Sequence, residues 1–242
     1  MPDVRHTTLN RSTGLFWIGA LFLVPSAYPL LLMTREVLTG YYVQARYRLK
    51  PIYESQTATI GGHRVSLLDD APESSDRAAR IRGVVRIVID GRECATVSNV
   101  EIRPSFSDAN RYHGFLALVR FENIFRGEAH LAVVANAATD PATPRLSNGG
   151  YNLDYLRFRL ISLDSDGRVS DETFFRKERG SPPIRAALAR FVSPSPMGYY
   201  SDLMMVWPSL LYPIAFPWAS GLVGAVAMLL AVKTRRQATR GA

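Results

Sequence analysis

The sequence contains a single cysteine, Cys94, so no disulfide can form within one chain. Small secreted domains usually depend on disulfides when their core is too small, and this class of protein is therefore excluded. An unpaired cysteine is most often a small buried apolar residue, and we predict a buried thiol at Cys94. The domain must be held together by its own packing.

Lysine is also scarce, since only three of the 29 basic residues are lysine, a bias typical of a GC-rich bacterial genome. The formal net charge is +8, and five of these excess positive charges lie in the first 14 and the last ten residues. Nucleic-acid binding needs basic residues clustered on a folded domain, so we predict no nucleic-acid partner. Basic tails are typical of the cytoplasmic ends of membrane proteins.

Motifs for catalysis and for cofactor binding are lacking. The sequence has no phosphate-binding loop, dinucleotide fingerprint or nucleophile elbow. Its histidines are not spaced like zinc ligands, and an ordinary structural role is predicted for His6, His63, His113 and His130. We predict no cofactor and no metal, and a protein that is not an enzyme.

Two acidic segments contain carboxylates of the kind that bind metals or transfer protons. The segment Asp164-Ser165-Asp166-Gly167 resembles part of a calcium loop, but Arg168 stands where an oxygen ligand is needed, which favours a hairpin turn. Asp69, Asp70 and Glu73 carry carboxylates suited to acid–base catalysis, but they begin a polar segment that we interpret as a solvated loop. Neither segment predicts catalytic residues.

Two apolar runs without charged residues, Leu15–Met33 and Leu210–Val232, can each cross a bilayer of about 30 Å. The first lacks a small-residue cleavage site, so we predict an uncleaved anchor. The basic tails predict cytoplasmic termini and a periplasmic domain at the bacterial inner membrane. The predicted parts are a cytoplasmic tail (1–14), a transmembrane helix (15–34), the extracytoplasmic domain (35–202), an interfacial entry with a second transmembrane helix (203–232), and a cytoplasmic tail (233–242).

The central domain alternates apolar and polar residues, as half-buried strands do. Turn signals such as Gly61-Gly62 and Asp90-Gly91 separate the strands, and a slip in parity predicts a bulge near Ser98–Asn99. Eight or nine short antiparallel strands are expected. They predict a β-sandwich of immunoglobulin-like or jelly-roll type. A short helix near 182–192, capped by Ser181, is expected to cover the open end of the sandwich, and the alternative is that it lies on the outer leaflet of the membrane.

Arginines stand at the polar positions of several predicted strands. If these strands are neighbours, the guanidinium groups form a basic face for carboxylates or phosphates. Its partner would be a protein, a membrane lipid or an anionic envelope polymer, and the alternative is a solvated face whose arginines pair with acidic side chains. The candidate residues are Arg86, Arg120, Arg157 and Arg159.

The second apolar run carries a stripe of small residues at helical spacing. Such stripes let helix backbones approach closely in lipid, which predicts packing against another membrane subunit or against Ala20 and Ala27 of the first helix. Pro208, Pro213 and Pro217 are expected to disturb the start of this second helix. The stripe consists of Ser220, Gly221, Gly224, Ala225, Ala227 and Ala231.

Aromatic residues at the ends of the apolar runs predict the membrane interfaces, because their rings are apolar while their polar atoms need water. Trp17 is assigned to the inner interface, and the outer one is assigned to Tyr41, Tyr42, Tyr199, Tyr200 and Trp207.

The leading hypothesis is a non-enzymatic accessory or scaffolding subunit of an inner-membrane complex. A membrane-anchored module that binds an envelope glycan or another anionic ligand is the second hypothesis. A membrane-tethered hydrolase or transferase is the third.

Overall fold

The computed structural model describes residues 4–137, 156–176, 178, 180–193, 197–200 and 213–240. It divides into two compact units, residues 39–200 and the two flanking segments together. In chain order the elements are α1 (Val4–Arg46), β1 (Tyr47–Ile52), β2 (Thr57–Ile60), β3 (His63–Asp69), β4 (Ile81–Ile89), β5 (Arg92–Ile102), a 3-10 turn (Ala109–Tyr112), β6 (Leu116–Asn123), β7 (Glu128–Asn136), β8 (Arg157–Asp164), β9 (Val169–Phe175), α2 (Pro183–Ala189), a 3-10 turn (Arg190–Val192), a π-helical turn (Ile214–Ala219) and α3 (Ser220–Arg240).

The flanking unit includes most of α1, the π-helical turn and α3, and both helices are long and apolar enough to cross a membrane. Helix α1 continues through Pro25 and Pro29 without a break. The entry to α3 is irregular, because Phe216, directly before Pro217, has a non-helical backbone. This irregularity confirms the predicted effect of Pro217, whereas Pro208 lies outside the described residues.

The domain contains two antiparallel sheets, as the alternating pattern predicts. The five-stranded sheet has the order β1-β6-β7-β8-β9, and the four-stranded sheet has the order β2-β3-β4-β5. Most neighbours in each sheet are therefore consecutive hairpins. Immunoglobulin-like and jelly-roll folds are built from Greek keys, so this strand order does not support that part of the prediction.

The two sheets share one apolar core. Val65, Ile87 and Val97 contribute from the four-stranded sheet, and Leu118 and Val133 contribute from the five-stranded sheet. The other face of the five-stranded sheet is buried as well, against α2 and the turn that follows it. This sheet is therefore covered on both faces. Such burial suits the segments Leu116–Val119 and Leu131–Ala135, in which every residue is apolar and buried.

Of four local predictions for the domain, the structure confirms one and contradicts three. The bulge near Ser98–Asn99 is confirmed, since the β4–β5 register shifts opposite it and Asn99 has a positive φ. The cap at Ser181 is wrong, because Pro182 occupies the cap position without a side-chain hydrogen bond. Helix α2 covers a sheet face, and not the end of the sandwich. Cys94 is exposed, and not buried, because it lies on the edge strand β5 beside a second register shift.

Candidate functional site

A groove of about 710 Å³ lies in the 39–200 unit, and we call it the α1–β1 groove. Most of its lining residues come from the last turn of α1, the start of β1, and α2 with the turn that follows it. Val43, Leu49 and Phe191 give it an apolar lining, and this size is typical of ligand sites. The complete lining is Val43, Gln44, Tyr47, Arg48, Leu49, Ile124, Ala187, Arg190, Phe191 and Tyr199.

Two arginines border the α1–β1 groove. Arg190 is exposed, and its guanidinium lies 5.4 Å from the ring centroid of Tyr199. Within the described part of the chain, no carboxylate forms an ion pair with Arg190. The side chain of Arg48 is 73% exposed and has only a loose contact of 3.7 Å with Glu122. The groove therefore combines an apolar lining with available positive charge.

A second surface is the outer face of the four-stranded sheet, which we call the open sheet face. Ser66 and Leu68 on β3 and Val84 and Arg86 on β4 point away from the shared core, because Val65, Leu67, Val85 and Ile87 point into it. Leu68 and Val84 are exposed apolar side chains. No described residue of this face belongs to the buried clusters, so the face is uncovered in the described part of the chain.

The four arginines of the predicted basic face do not form one face. Arg86 lies on the open sheet face and pairs with Asp70 at 2.6 Å, whereas the other three belong to the five-stranded sheet. Within that sheet, Arg120 pairs with Leu131 of β7, which in turn pairs with Leu163 of β8. Arg159 lies four residues before Leu163 on β8. This offset is roughly 13 Å along the strands. Sequence parity carries no signal for this separation, because it does not reveal how far apart positions on different strands lie.

Arg157 and Arg159, two of the three arginines on the five-stranded sheet, also have partners. Arg159 forms two hydrogen bonds with the carboxylate of Asp171, at 2.9 and 2.6 Å, and donates a third to the Thr96 carbonyl at 2.7 Å. The Asp171 carboxylate raises the pKa of Arg159, and Arg159 in turn lowers the pKa of Asp171. The guanidinium of Arg157 lies 5.0 Å from the Phe175 ring centroid. The pair of Arg159 with Asp171 matches the alternative given for the basic face, in which the arginines pair with acidic side chains.

The small residues of α3 contact α1 of the same chain. A Cβ added at Gly224 would lie 2.6 Å from the Leu23 nitrogen and 2.9 Å from the Gly19 oxygen. The Ser26 and Ser220 hydroxyl oxygens are 2.8 Å apart, and Ser26 is fully buried. Ala27, which was expected to contact this stripe from the first helix, is exposed. The stripe of Ser220, Gly221, Gly224, Ala225, Ala227 and Ala231 therefore has an intramolecular partner along part of its length.

The residues assigned to the membrane interfaces have different environments. Trp17, Tyr41 and Tyr42 are exposed, as an interfacial side chain must be, and Tyr200 is half-buried. Tyr199 is instead buried beside Val43, Ala186 and Ala187 inside the domain, so it is not available to headgroups. Trp207 lies outside the described residues.

A buried ion pair is the main polar feature that sequence reasoning missed. Asp69 and Arg111 are joined by two hydrogen bonds, at 2.9 and 3.0 Å, and their side chains are only 3% and 6% exposed. Tyr112 donates its hydroxyl to Asp69 at 2.6 Å. Arg111 also donates to the carbonyls of Pro104, Phe106 and Ala71. We call Asp69, Arg111 and Tyr112 the Asp69 cluster.

The Asp69 cluster has shifted pKa values. Burial by itself raises the pKa of Asp69, but hydrogen bonds from Arg111, Tyr112 and the Ala71 amide more than offset it, so the net pKa is lowered. Burial and the hydrogen bond to Asp69 raise the pKa of Tyr112. Asp69 is therefore a carboxylate with its partners satisfied, and a structural role suits it better than proton transfer.

The other candidate metal ligands lie apart from one another in the described part of the chain. His63 contacts Asp90 at 2.7 Å, and the His130 ring stacks on Phe121. Asp164 accepts hydrogen bonds from the amides of Asp166 and Arg168, as in a turn. Among the residues that the structure describes, no group of three His, Cys, Asp or Glu side chains is placed to hold a metal.

No family model, curated protein or solved structure matches this chain.

Proposed function

We propose that this chain is a non-enzymatic accessory subunit of a bacterial inner-membrane assembly. Its two helices are the anchor, and its periplasmic domain, a β-sandwich of two meandering sheets, docks a partner protein. The proposal depends chiefly on the open sheet face, where exposed apolar side chains lie beside a charged pair. This face replaces the predicted basic face as the docking surface.

The composition of the open sheet face suits a protein partner. Leu68 and Arg86 are register partners on adjacent strands, so an apolar and a guanidinium group lie side by side. Protein interfaces combine apolar contact with arginine, whose planar group bonds and stacks at once. Asp70, which pairs with Arg86, gives the rim of the face an acidic group as well.

The edges of the four-stranded sheet are poorly suited to pairing with a strand of a partner, which favours docking through the open sheet face. The edge strand β2 has only four residues. The edge strand β5 is interrupted by two register shifts, and Arg159 occupies the Thr96 carbonyl. Short and irregular edges resist pairing with another chain.

Photo-crosslinking from Cys94 tests the proposed docking face. Cys94 is exposed on β5, the strand that pairs with β4 of the open sheet face. It is the only cysteine in the sequence, so a maleimide-linked photoreactive group attaches there alone. We expect discrete adducts with a second protein in native membranes. Leu68→Glu should lower the adduct yield at least about fivefold, because it buries a charge in the interface.

Val169→Glu is the matched control, since Val169 and Leu68 are both 43% exposed but Val169 lies on the edge strand β9 of the other sheet. It should leave the yield unchanged. Equal yields in the wild type and in both variants would show that partners do not use the open sheet face.

The proposed orientation has its own prediction. With Cys94→Ser as background, Thr8→Cys and Gln237→Cys should resist a membrane-impermeant thiol reagent in intact spheroplasts and react after lysis. The reason is that the excess charge lies on the tails. Labelling of either position from outside intact spheroplasts would refute the periplasmic placement of the domain.

The second hypothesis, a module that binds an anionic ligand, is favoured by one observation. Arg190 borders the α1–β1 groove and has no carboxylate partner in the described part of the chain. The groove is separate from the open sheet face, so one chain can serve both purposes.

A further inference from the structure

We propose that the α1–β1 groove binds one anionic glycerophospholipid, whose phosphate contacts Arg190 and Arg48 and whose acyl chain lies along the apolar lining. This inference goes beyond the proposed docking of a protein partner and uses none of its residues.

The groove has the two chemistries that a phospholipid requires. Val43, Leu49, Ile124 and Phe191 supply apolar contact along its length. Arg48 and Arg190 supply cations at its border, and a guanidinium binds phosphate through paired hydrogen bonds. A soluble anion would use only the arginines, and an uncharged apolar ligand would use only the lining.

The positive charge in this region is only partly offset. Arg46 is turned towards aromatic rings, since it donates to the Tyr42 hydroxyl at 2.6 Å and lies over Tyr42 and Tyr47. Glu122 lies 3.7 Å from Arg48, which is too long for a strong charge-assisted bond. Arg190 contacts the Tyr199 ring and forms no ion pair with a carboxylate of the described residues. A phosphate can therefore bind Arg190 without displacing a carboxylate in this part of the chain, and at Arg48 it competes only with the loose contact to Glu122.

The chain itself brings the groove near to lipid. Val43 and Gln44 belong to α1, the same helix that carries the first apolar run, and Arg35 is the first charged residue after that run. Val43 follows Arg35 by eight residues, which is about 12 Å along a helix. Bilayer lipids are therefore the amphiphiles closest to this segment.

The turn between β6 and β7 extends the apolar surface beside the groove. The Ile124 amide donates to the Arg46 carbonyl at 2.9 Å, which holds the turn against the end of α1. Ile124 is 44% exposed and lines the groove, whereas Phe125 is 78% exposed and is not part of the lining. This pair provides a matched test of the apolar half of the site.

Native mass spectrometry of the full chain in mild detergent tests the proposal, with phosphatidylglycerol as the added lipid. We expect one bound lipid in the wild type, and an affinity at least about tenfold lower in Arg190→Ala, because a charge-assisted bond to phosphate is lost. Ile124→Glu should lose the lipid to a similar extent. Arg126→Ala and Phe125→Glu, changed outside the lining, should bind like the wild type.

Two further probes identify the ligand chemistry. Phosphatidylcholine, which has no net charge, should bind at least about fivefold more weakly than phosphatidylglycerol, and glycerol 3-phosphate, which has no acyl chains, should not bind at the same concentration. Arg48→Ala repeats the charge test at a more exposed side chain, so the proposal stays testable if Arg190→Ala lowers the melting temperature.

Equal binding of both phospholipids, or binding that survives Arg190→Ala, Arg48→Ala and Ile124→Glu, would overturn the proposal. Loss of a bound protein and not of a lipid in these variants would also overturn it, and would assign the groove to a protein segment. The Cys94 adducts should not change in any of these variants, so failure here is distinguishable from failure of the proposed docking face.

Discussion

Replacing Gly224 with leucine is expected to separate α3 from α1. Even a single added carbon would lie 2.6 Å from the Leu23 nitrogen and 2.9 Å from the Gly19 oxygen, and these are backbone atoms that no rotamer change can move. Overpacking of this kind costs about 1–3 kcal/mol, which is about 5- to 150-fold in the equilibrium between packed and separated helices.

The hydroxyl contact between Ser26 and Ser220 provides the measurement. With Cys94→Ser as background, Ser26→Cys and Ser220→Cys should form a disulfide on mild oxidation, since the two oxygens they replace are 2.8 Å apart. Gly224→Leu should reduce this yield several-fold. Gly14→Leu is the matched control, because a Cβ at Gly14 has no heavy atom within 4 Å. Equal yields in the two leucine variants would mean that Gly224 does not contact α1.

Asp69→Ala is expected to lower the free energy of unfolding by about 3–5 kcal/mol. The variant leaves the Arg111 guanidinium buried without its carboxylate, and an uncompensated buried charge is costly. Asp70→Ala is the control one residue away. Its pair with Arg86 is on the surface and its side chain is 82% exposed, so a change below about 1 kcal/mol is expected.

Denaturant unfolding of the full chain in detergent, followed by near-ultraviolet circular dichroism, measures both variants. Asp69→Leu combined with Arg111→Met should recover only part of the loss. The unpaired buried charge is removed, but the Tyr112 hydroxyl and the three carbonyls that accept from Arg111 lose these hydrogen bonds. If Asp69→Ala were no more harmful than Asp70→Ala, the Asp69 cluster would not stabilise the domain.

The Asp69 cluster is expected to make the stability of the domain depend on pH. The pKa of Asp69 is lower in the folded protein than its ordinary value of 3.8, so its contribution is complete above that value and is lost as the pH falls through the folded pKa. The difference in stability between the wild type and Asp69→Ala should therefore be constant from pH 5 to pH 8 and should shrink below about pH 4.

The strands were predictable because their signals are local. Gly61-Gly62 and Asp90-Gly91 specify turns by their own conformational preferences, and both turns have positive φ values in the structure. The pairing of β1 with β6 joins residues more than 60 positions apart, for which the sequence has no local signal. For the same reason Asp69 was interpreted as a loop residue, since its partner Arg111 is 42 residues away.

For two features that we interpreted wrongly, the sequence does contain a signal. Leu131–Ala135 is continuously apolar, which indicates a strand that is buried on both faces, but the domain was interpreted as alternating. In α1, Ser12, Gly19, Ser26 and Met33 recur every seven residues and are all buried. This heptad spacing predicts a helix that packs against another helix, and it identifies the contact side of α1 better than Ala20 and Ala27 do.

The contact between Val43 and Tyr199 brings the point where the chain enters the domain beside the point where it leaves. A domain whose two ends meet is topologically an insertion, and such segments can be gained, exchanged or removed without altering the path of the host. The flanking helices have their own contact between Gly19 and Gly224. We therefore expect that another domain with similarly spaced ends can replace residues 47–192 without loss of the contact between α1 and α3.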